Sequence, residues 1–218
     1  MKGLASDLAE LAARGWIRVQ GICSSADLIE LGRTIGCPVP SPNGEMVKEI
    51  RVISRASALP GSQSALHGTG RFPLHTDTVF WPVPVRYVLL RGSGDTRRTT
   101  TVLTFDELFA VCGRPIVTLA EKSVWLAGKN AKPFYCAMRL HHPEATGWRY
   151  DIDNMCPENA AAREVDLALR QVVQSGIGNE IHWSGDSAVI LSNWNVLHGR
   201  GPEPPSEGPR TIERLYVR

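Results

Sequence analysis

The stretch FPLHTDTVF, residues 72–80, places an imidazole and a carboxylate among apolar side chains. His75 and Asp77 are two positions apart, and side chains at positions i and i+2 of a β-strand project to the same face. A strand over 71–80 would therefore bring a base and an acid side by side. Buried polar groups need partners, and the rest of the chain has to supply them.

A second histidine stands near the other end of the chain. His198 follows an apolar strand predicted at 187–192 and precedes a glycine, in SAVILSNWNVLHGRGP. Two histidines and one carboxylate make up the facial triad that binds non-heme Fe(II) and leaves its other positions open. Although an H-x-D pair is common by chance, the three residues together raise the hypothesis of a metal site.

Two arginines follow in the last predicted strand, 210–217. Arg210 begins it, and Arg214 comes four residues later on the same face. A guanidinium beside a metal can bind a carboxylate bidentately, as a dicarboxylate such as 2-oxoglutarate requires. Either arginine alone could equally be an exposed residue opposite an acidic neighbour, but this explains the order His, Asp, His, Arg less well.

The composition suits one globular domain, 1–218. The chain is 43% hydrophobic and 21% charged, and its formal net charge of +2 gives no reason to expect binding to nucleic acid or to an anionic membrane. Short strands separated by turn residues, with a few helices outside them, favour a mostly β fold with flanking α-helices and a double-stranded β-helix (jelly roll) core. Further strands are predicted at 16–22, 49–54, 85–91, 98–103, 134–140 and 147–153.

Helical patterns occupy parts of the remaining chain. They end at Gly15, span 24–36 and 157–176, and begin at the capping box of Thr104 and Glu107. Residues 56–70 are small, polar and glycine-rich, and a segment of this kind beside the H-x-D strand indicates an active-site lid that contains His67.

The spacing of the cysteines and the composition of the N-terminal segment predict the cellular location. The five cysteines form no CxxC pair, and acidic residues stand where a signal peptide has its apolar core. No apolar run is long enough to span a membrane. These features predict a cytoplasmic protein with reduced thiols.

The chain resembles the Fe(II)/2-oxoglutarate-dependent oxygenases of the taurine dioxygenase/clavaminate synthase-like superfamily over most of its length. The resemblance is carried by GWIRVQGI, FPLHTDTVFWPVPVRYVLL, WRYDIDNMCP and IHWSGDSAVILSNWNVLHGRGPEPPSEGPRTIERLYV, and its most specific part is NWNVLHGR…GPR…YV. The resemblance implies that His75, Asp77 and His198 bind iron and that Arg210 binds the C5 carboxylate of 2-oxoglutarate.

The resemblance also suggests further contacts. A threonine before the helix at 104 is expected to help bind 2-oxoglutarate; Thr99, Thr100 and Thr101 compete, and counting back from the cap favours Thr100 with the other two on the opposite face. The positions that face substrate in taurine-type relatives correspond to Arg214 and Arg71. Two arginines there would suit an anionic group, such as the carboxylate of an amino acid.

The implied activity is an oxygenase reaction with Fe(II), 2-oxoglutarate and O2. It would couple decarboxylation of 2-oxoglutarate to succinate and CO2 with C–H hydroxylation, or a related oxidation, of a small molecule such as an amino acid or a natural-product intermediate. Because Asp77 is present, hydroxylation is favoured over halogenation, whose enzymes lack the carboxylate. Ser192 departs from the family pattern, since many relatives carry Asp before the Asn at 193.

Two other classes remain open on the sequence. A Zn-dependent hydrolase could use the same three ligands, but it requires a nearby general base and gives Arg210 no role. A non-catalytic jelly-roll binding protein is the second alternative.

Arg149 and Asp151 alternate onto one face of the strand predicted at 147–153, which predicts a structural ion pair.

Overall fold

Strands dominate the computed structural model, which describes residues 2–60, 62–92, 96–128, 132–143, 145–183, 186–202 and 211–218. The strands are β1 (Trp16–Gln20), β2 (Pro38–Val39), β3 (Val47–Arg51), β4 (Phe72–His75), β5 (Tyr87–Gly92), β6 (Thr96–Thr104), β7 (Val124–Ala127), β8 (Phe134–Ala137), β9 (Arg139–His142), β10 (Ala145–Trp148), β11 (Met155–Pro157), β12 (Asn179–Trp183), β13 (Ser187–Ser192), β14 (Val196–Arg200) and β15 (Thr211–Val217). The helices are α1 (Lys2–Arg14), α2 (Ser25–Ile35), α3 (Gln63–His67), α4 (Phe105–Cys112), α5 (Pro115–Lys122) and α6 (Ala160–Ser175), with a 3₁₀ turn at Arg55–Ser57.

Two antiparallel sheets form the centre of the fold. The larger has the order β1-β13-β5-β15-β2, with β3 also paired to β15, and the smaller has the order β12-β6-β14-β4. Neighbouring strands in both sheets come from distant parts of the sequence, so the two ends of the chain are brought together. Shorter sheets, β11-β7-β8 and β10-β9, complete the strand pairing.

Alternation along the strands divides the apolar side chains between three clusters. Val88 and Leu90 of the larger sheet meet Val102 and Ile181 of the smaller sheet in the space between them. Residues next to these in sequence point outward, because side chains alternate between the faces of a strand. The outer face of the larger sheet packs on α1 and α2, and that of the smaller sheet packs on α4 and α6.

The helix ends follow the predicted capping chemistry. Thr104 Oγ1 accepts a hydrogen bond from the Glu107 amide at 3.1 Å, and Glu107 Oε2 accepts one from the Thr104 amide at 2.8 Å. Ser24 and Asp27 form the same reciprocal box at the start of α2. These boxes satisfy amide groups that have no partner inside the helix.

Several predicted strands are too long. The strand predicted at 71–80 ends at His75, the one at 134–140 divides into β8 and β9, and the one at 147–153 ends at Trp148. The first ends early because the Thr76 amide donates to the Tyr150 carbonyl at 2.8 Å and Thr78 has a φ of 57°, which a strand cannot accommodate. Conversely, the segment predicted as a loop at 56–70 contains α3.

None of the described helices combines the length and the apolar character that crossing a bilayer requires.

Candidate metal centre

Three ligand-bearing side chains meet between the two large sheets. His198 Nε2 lies 3.5 Å from Asp77 Oδ2, and His75 Nε2 lies 4.0 Å from Asp77 Oδ1. The ligand atoms of the three residues all lie within 4.8 Å of one another. Within the described ranges, this is the one group of three or more His, Cys, Asp or Glu side chains close enough to share a metal ion.

Strand pairing brings the two histidines together. His75 ends β4 and pairs directly with His198 in β14. Directly opposed residues of an antiparallel pair project to the same face, so both imidazoles point toward the larger sheet. Their ring centroids are 4.6 Å apart with an interplanar angle of 42°.

Asp77 reaches the site from a turn. It lies beyond the end of β4, and its amide donates to the side-chain oxygen of Asn193 at 2.8 Å. Thr78 then takes a left-handed conformation. The expectation that His75 and Asp77 share a face because they share a strand was therefore wrong in its local geometry, although the two side chains are neighbours.

The protonation of His75 suits metal binding. Its Nδ1 lies 3.0 Å from the Pro73 carbonyl oxygen, which can only accept a hydrogen bond, so Nδ1 carries the proton and Nε2 presents its lone pair to the site. Burial, followed by the charge of His198, lowers the pKa of His75. A neutral imidazole is the form that binds a metal.

Arg214 maintains the negative charge of Asp77. Burial alone would raise the pKa of Asp77, but the Arg214 guanidinium and His198 lower it well below its ordinary value. Arg214 Nη1 donates to Asp77 Oδ1 at 2.9 Å and to Oδ2 at 3.2 Å. The site therefore holds an ionised carboxylate that is almost entirely buried.

Arg214 comes from the inner face of β15. Tyr216, two residues later on the same face, places its ring 4.6 Å from the Arg214 guanidinium carbon. Burial, followed by the charge of Asp77, raises the pKa of Tyr216 well above its ordinary value. Arg214 Nε is buried and has no hydrogen-bond partner among the described residues.

The remaining predicted contacts are Thr100, Arg71 and Arg210. Thr100 lies on the inner face of β6, where its Oγ1 accepts a hydrogen bond from Trp183 Nε1 at 3.1 Å. Thr101 lies on the opposite face, next to Gly178. Arg71 Nη1 donates to the Gly176 carbonyl at 3.3 Å, at the carbonyl end of α6. Arg210 lies outside the described residues.

The segment predicted as a lid lies alongside the triad. His67 Nε2 lies 2.8 Å from Asp153 Oδ2, and its ring contacts Phe72, whose ring in turn contacts that of His75. The carbonyls of Gly68 and Gly70 accept hydrogen bonds from Arg200 at 2.7 and 2.9 Å. Residues 67–70 are thus held by side chains from β14 and from the turn after β10.

The ion pair predicted between Arg149 and Asp151 was wrong. Arg149 donates to the backbone carbonyls of Trp81 and Pro82, whereas Asp151 accepts hydrogen bonds from Asn154. The chain leaves β10 at Trp148, so strand alternation does not apply to these two residues.

Sequence reasoning missed Tyr216 and Asn193. Tyr216 could have been found, because it alternates onto the face of Arg214. Asn193 stands in the family-like stretch NWNVLHGR, but its role could not be read there, since its hydrogen bonds join it to a residue 116 positions away.

The three ligand side chains fit a divalent metal with mixed nitrogen and oxygen preference. Two imidazoles and a carboxylate are the ligands of the non-heme iron facial triad, and they also suit zinc. Adjacent ligands of a six-coordinate ion at about 2.1 Å lie roughly 3 Å apart. The observed separations of 3.5 and 4.0 Å need only small side-chain movements to reach this value.

Iron oxygenases are among the solved structures with a similar fold. One is an asparagine oxygenase in complex with Fe(II), 2S,3S-3-hydroxyasparagine and succinate, with a TM-score of 0.78 and 16% identity over 100% of this chain and 79% of that chain. Another is the non-heme iron oxygenase OrfP in complex with Fe and alpha-ketoglutaric acid, with a TM-score of 0.73 and 18% identity over 100% and 80%. A third is PvcB, an Fe, alpha-ketoglutarate dependent oxygenase from an isonitrile synthetic pathway, with a TM-score of 0.69 and 16% identity over 98% and 80%.

Comparisons of sequence give no match. No family model matches the chain, and no curated protein does either. The relationship is therefore one of fold, and it confirms the predicted mostly β architecture with flanking helices: the chain has the jelly-roll fold of the Fe(II)/2-oxoglutarate-dependent oxygenases.

Proposed function

We propose that this protein is a non-heme Fe(II)- and 2-oxoglutarate-dependent oxygenase that hydroxylates, or otherwise oxidises, a C–H bond of a small molecule. The observation that carries the proposal is the group of His75, Asp77 and His198, which lies largely buried between the sheets of an oxygenase fold. The charge of Arg214 on Asp77 adds support, because a ligand carboxylate must be ionised.

His75, Asp77 and His198 would hold the iron, and Arg210 and Thr100 would hold 2-oxoglutarate. When bound, iron with 2-oxoglutarate and O2 supplies the oxidising chemistry, which yields succinate and CO2. The chain would position the reactants and keep water away from the metal site. Leu74 and Leu197 flank the two histidines in their strands and are buried against the helices, which limits the access of water from that side.

An amino acid is our proposed substrate class. The asparagine oxygenase structure contains a hydroxyasparagine, and OrfP structures contain (3S)-hydroxy-L-Arg and (3R,4R)-dihydroxy-L-Arg. Arg214, whose Nε has no hydrogen-bond partner among the described residues, is the residue we propose for binding a carboxylate of such a substrate. Arg71 could contribute a second contact only if its guanidinium leaves the Gly176 carbonyl. We also propose residues 56–70 as the lid, and a cytoplasmic location from the cysteine pattern.

The decisive experiment separates cosubstrate binding from turnover. Under anaerobic conditions, Fe(II) and a chelating 2-oxo acid give a visible charge-transfer band, and the protein should generate it at stoichiometric iron. In air with ascorbate, mass spectrometry should detect succinate formed from 2-oxoglutarate, and its yield should rise with the correct member of an amino-acid panel. His75→Ala should abolish both signals.

Arg210→Ala tests the cosubstrate assignment. The variant should keep its affinity for Fe(II) but bind 2-oxoglutarate at least tenfold more weakly, since a charge-assisted bidentate contact is lost. Arg163→Ala, on the exposed side of α6, is the matched control. A zinc hydrolase or a binding protein would give neither the charge-transfer band nor succinate. Absence of the band, or absence of succinate, would reject the oxygenase assignment.

A further inference from the structure

Asn193 is a buried polar residue in the turn between β13 and β14. Its side chain has no exposed surface, and an amide in such a position must find hydrogen-bond partners inside the protein. The turn that contains it leads directly into β14, which carries His198.

The Asn193 side chain binds the backbone of Asp77 on both sides. Its Oδ1 accepts a hydrogen bond from the Asp77 amide at 2.8 Å, and its Nδ2 donates to the Asp77 carbonyl at 3.0 Å. Nδ2 also donates to the Val85 carbonyl at 2.9 Å. These contacts fix the backbone on either side of the Asp77 side chain.

The chain that follows Asp77 needs this support. Thr78 has a φ of 57°, and a non-glycine residue in this region costs about 1–2 kcal/mol. Thr78 Oγ1 accepts a hydrogen bond from the Val85 amide at 2.9 Å, so the strained turn is closed onto the same residue that Asn193 binds. Asn193 and Thr78 therefore hold the two ends of one loop.

The turn around Asn193 is itself fixed to several parts of the fold. The Asn193 amide donates to the Arg86 carbonyl at 2.9 Å, and the Ser192 amide to the Gly15 carbonyl at 2.8 Å. The Trp194 carbonyl accepts from the Trp148 amide at 2.8 Å. Because the turn is anchored in this way and leads into β14, the hydrogen bonds of the Asn193 side chain fix the position of Asp77 relative to His198.

We propose that Asn193 is a positioning residue of the metal centre, which sets the distance between the Asp77 carboxylate and the two histidines. The inference rests on the proposed metal site and adds a residue that touches none of the ligand atoms. Without Asn193, the loop that carries Asp77 can relax, and the distance between the carboxylate and the imidazoles is no longer fixed.

The test compares Asn193→Ala with Asn195→Ala in the same turn. Asn195 is exposed, and its side chain contacts Ser192 instead of Asp77. The affinities of the full chain for Mn(II) and Co(II) are measured by titration calorimetry. Asn193→Ala should bind both ions roughly 10–100-fold more weakly, the range found when a residue that orients a metal ligand is removed, and Asn195→Ala should match the wild type within twofold.

A second readout separates positioning from stability. The Co(II) absorption bands report coordination geometry, and they should change in Asn193→Ala at saturating metal. Leu28→Ala, in the cluster beneath the larger sheet, should lower the melting temperature without moving either metal readout. If Asn193→Ala is insoluble, Asn193→Ser is measured in the same assays.

The outcomes are distinct. Metal affinity and Co(II) spectra equal to the wild type in a folded Asn193 variant would overturn the inference, whatever its melting temperature. Absence of metal binding by the wild type itself would overturn the proposed function as well.

Discussion

Tyr150 illustrates how a single buried group can make stability depend on pH. Its side chain has no exposed surface, and its hydroxyl donates to Asp166 Oδ1 at 2.9 Å. Burial, followed by the charge of Asp166, raises the pKa of Tyr150 well above its ordinary value. The folded state therefore binds this proton more tightly than the unfolded chain does.

The pH dependence follows from that direction. The stabilising effect of Tyr150 is present below the pKa of an unfolded tyrosine, about 10, and is lost as the pH rises from there toward the higher folded value. Tyr150→Phe should lower the free energy of unfolding at pH 7 by about 1.5–3 kcal/mol, because a hydrogen bond to a charged group is lost. Its stability should then decline less between pH 9 and 11 than that of the wild type.

Urea unfolding at several pH values measures both effects. Tyr135→Phe is the matched control, since that side chain is exposed, and it should follow the wild type throughout. An equally steep alkaline decline in Tyr150→Phe and in the wild type would contradict the assignment. Tyr216 should preserve part of the slope in both proteins, because its pKa is raised as well.

At the scale of the element, β14 and β4 must approach closely for their histidines to meet. Gly199 allows this: a Cβ there would lie 2.5 Å from the Phe72 carbonyl oxygen and 3.1 Å from that of Pro73. Both obstacles are backbone atoms, which cannot turn aside as a flexible side chain can. Gly199 thus determines the separation of the strands that carry His75 and His198.

Gly199→Ala should push the two strands apart. Overpacking of this kind costs about 1–3 kcal/mol, and we expect at least a tenfold loss of Co(II) affinity together with a lower melting temperature. Gly70→Ala is a milder comparison, because its Cβ would lie 3.3 Å from the nearest atom, the His67 carbonyl oxygen. Calorimetric titration of both variants decides: undiminished Co(II) affinity in Gly199→Ala would show that this spacing is not required.

The lid segment gives a second prediction at this scale. The hydrogen bond between His67 and Asp153 connects α3 to the turn after β10. Its loss in His67→Ala should cost about 1 kcal/mol of local stability and accelerate amide exchange at Ala65 and Gly68 roughly fivefold. Hydrogen exchange is the measurement, and His141→Ala, an exposed histidine, is the control. Unchanged exchange in α3 would mean that other contacts hold the segment.

The strands also show how much of the fold could be predicted from the sequence. Short apolar runs bounded by turn residues identified β5 and β13, because strands buried on both faces have nearly continuous hydrophobic sequences. The early end of β4 could not be read from the sequence, since it depends on a hydrogen bond between Thr76 and Tyr150. The metal ligands were predictable as residue types in order, whereas the support from Asn193 depends on tertiary structure.

At the scale of the whole molecule, the metal centre joins parts of the chain that are distant in sequence. The smaller sheet supplies His75 and His198, and the larger sheet supplies Arg214, which contacts Asp77. The apolar cluster between the sheets holds these faces together. A metal bound to His75, Asp77 and His198 would therefore connect an early segment of the chain to a late one.

This connection predicts that metal stabilises the global fold. An ion that binds only the folded protein adds about 2.7 kcal/mol at a hundredfold excess over its Kd, which for a chain of this size corresponds to a rise of roughly 5–10 °C in melting temperature. Mn(II) should produce this rise in the wild type and in His141→Ala but not in His198→Ala. A rise of equal size in His198→Ala would place the ion elsewhere, because without one imidazole the two halves of the chain no longer share the ligand set.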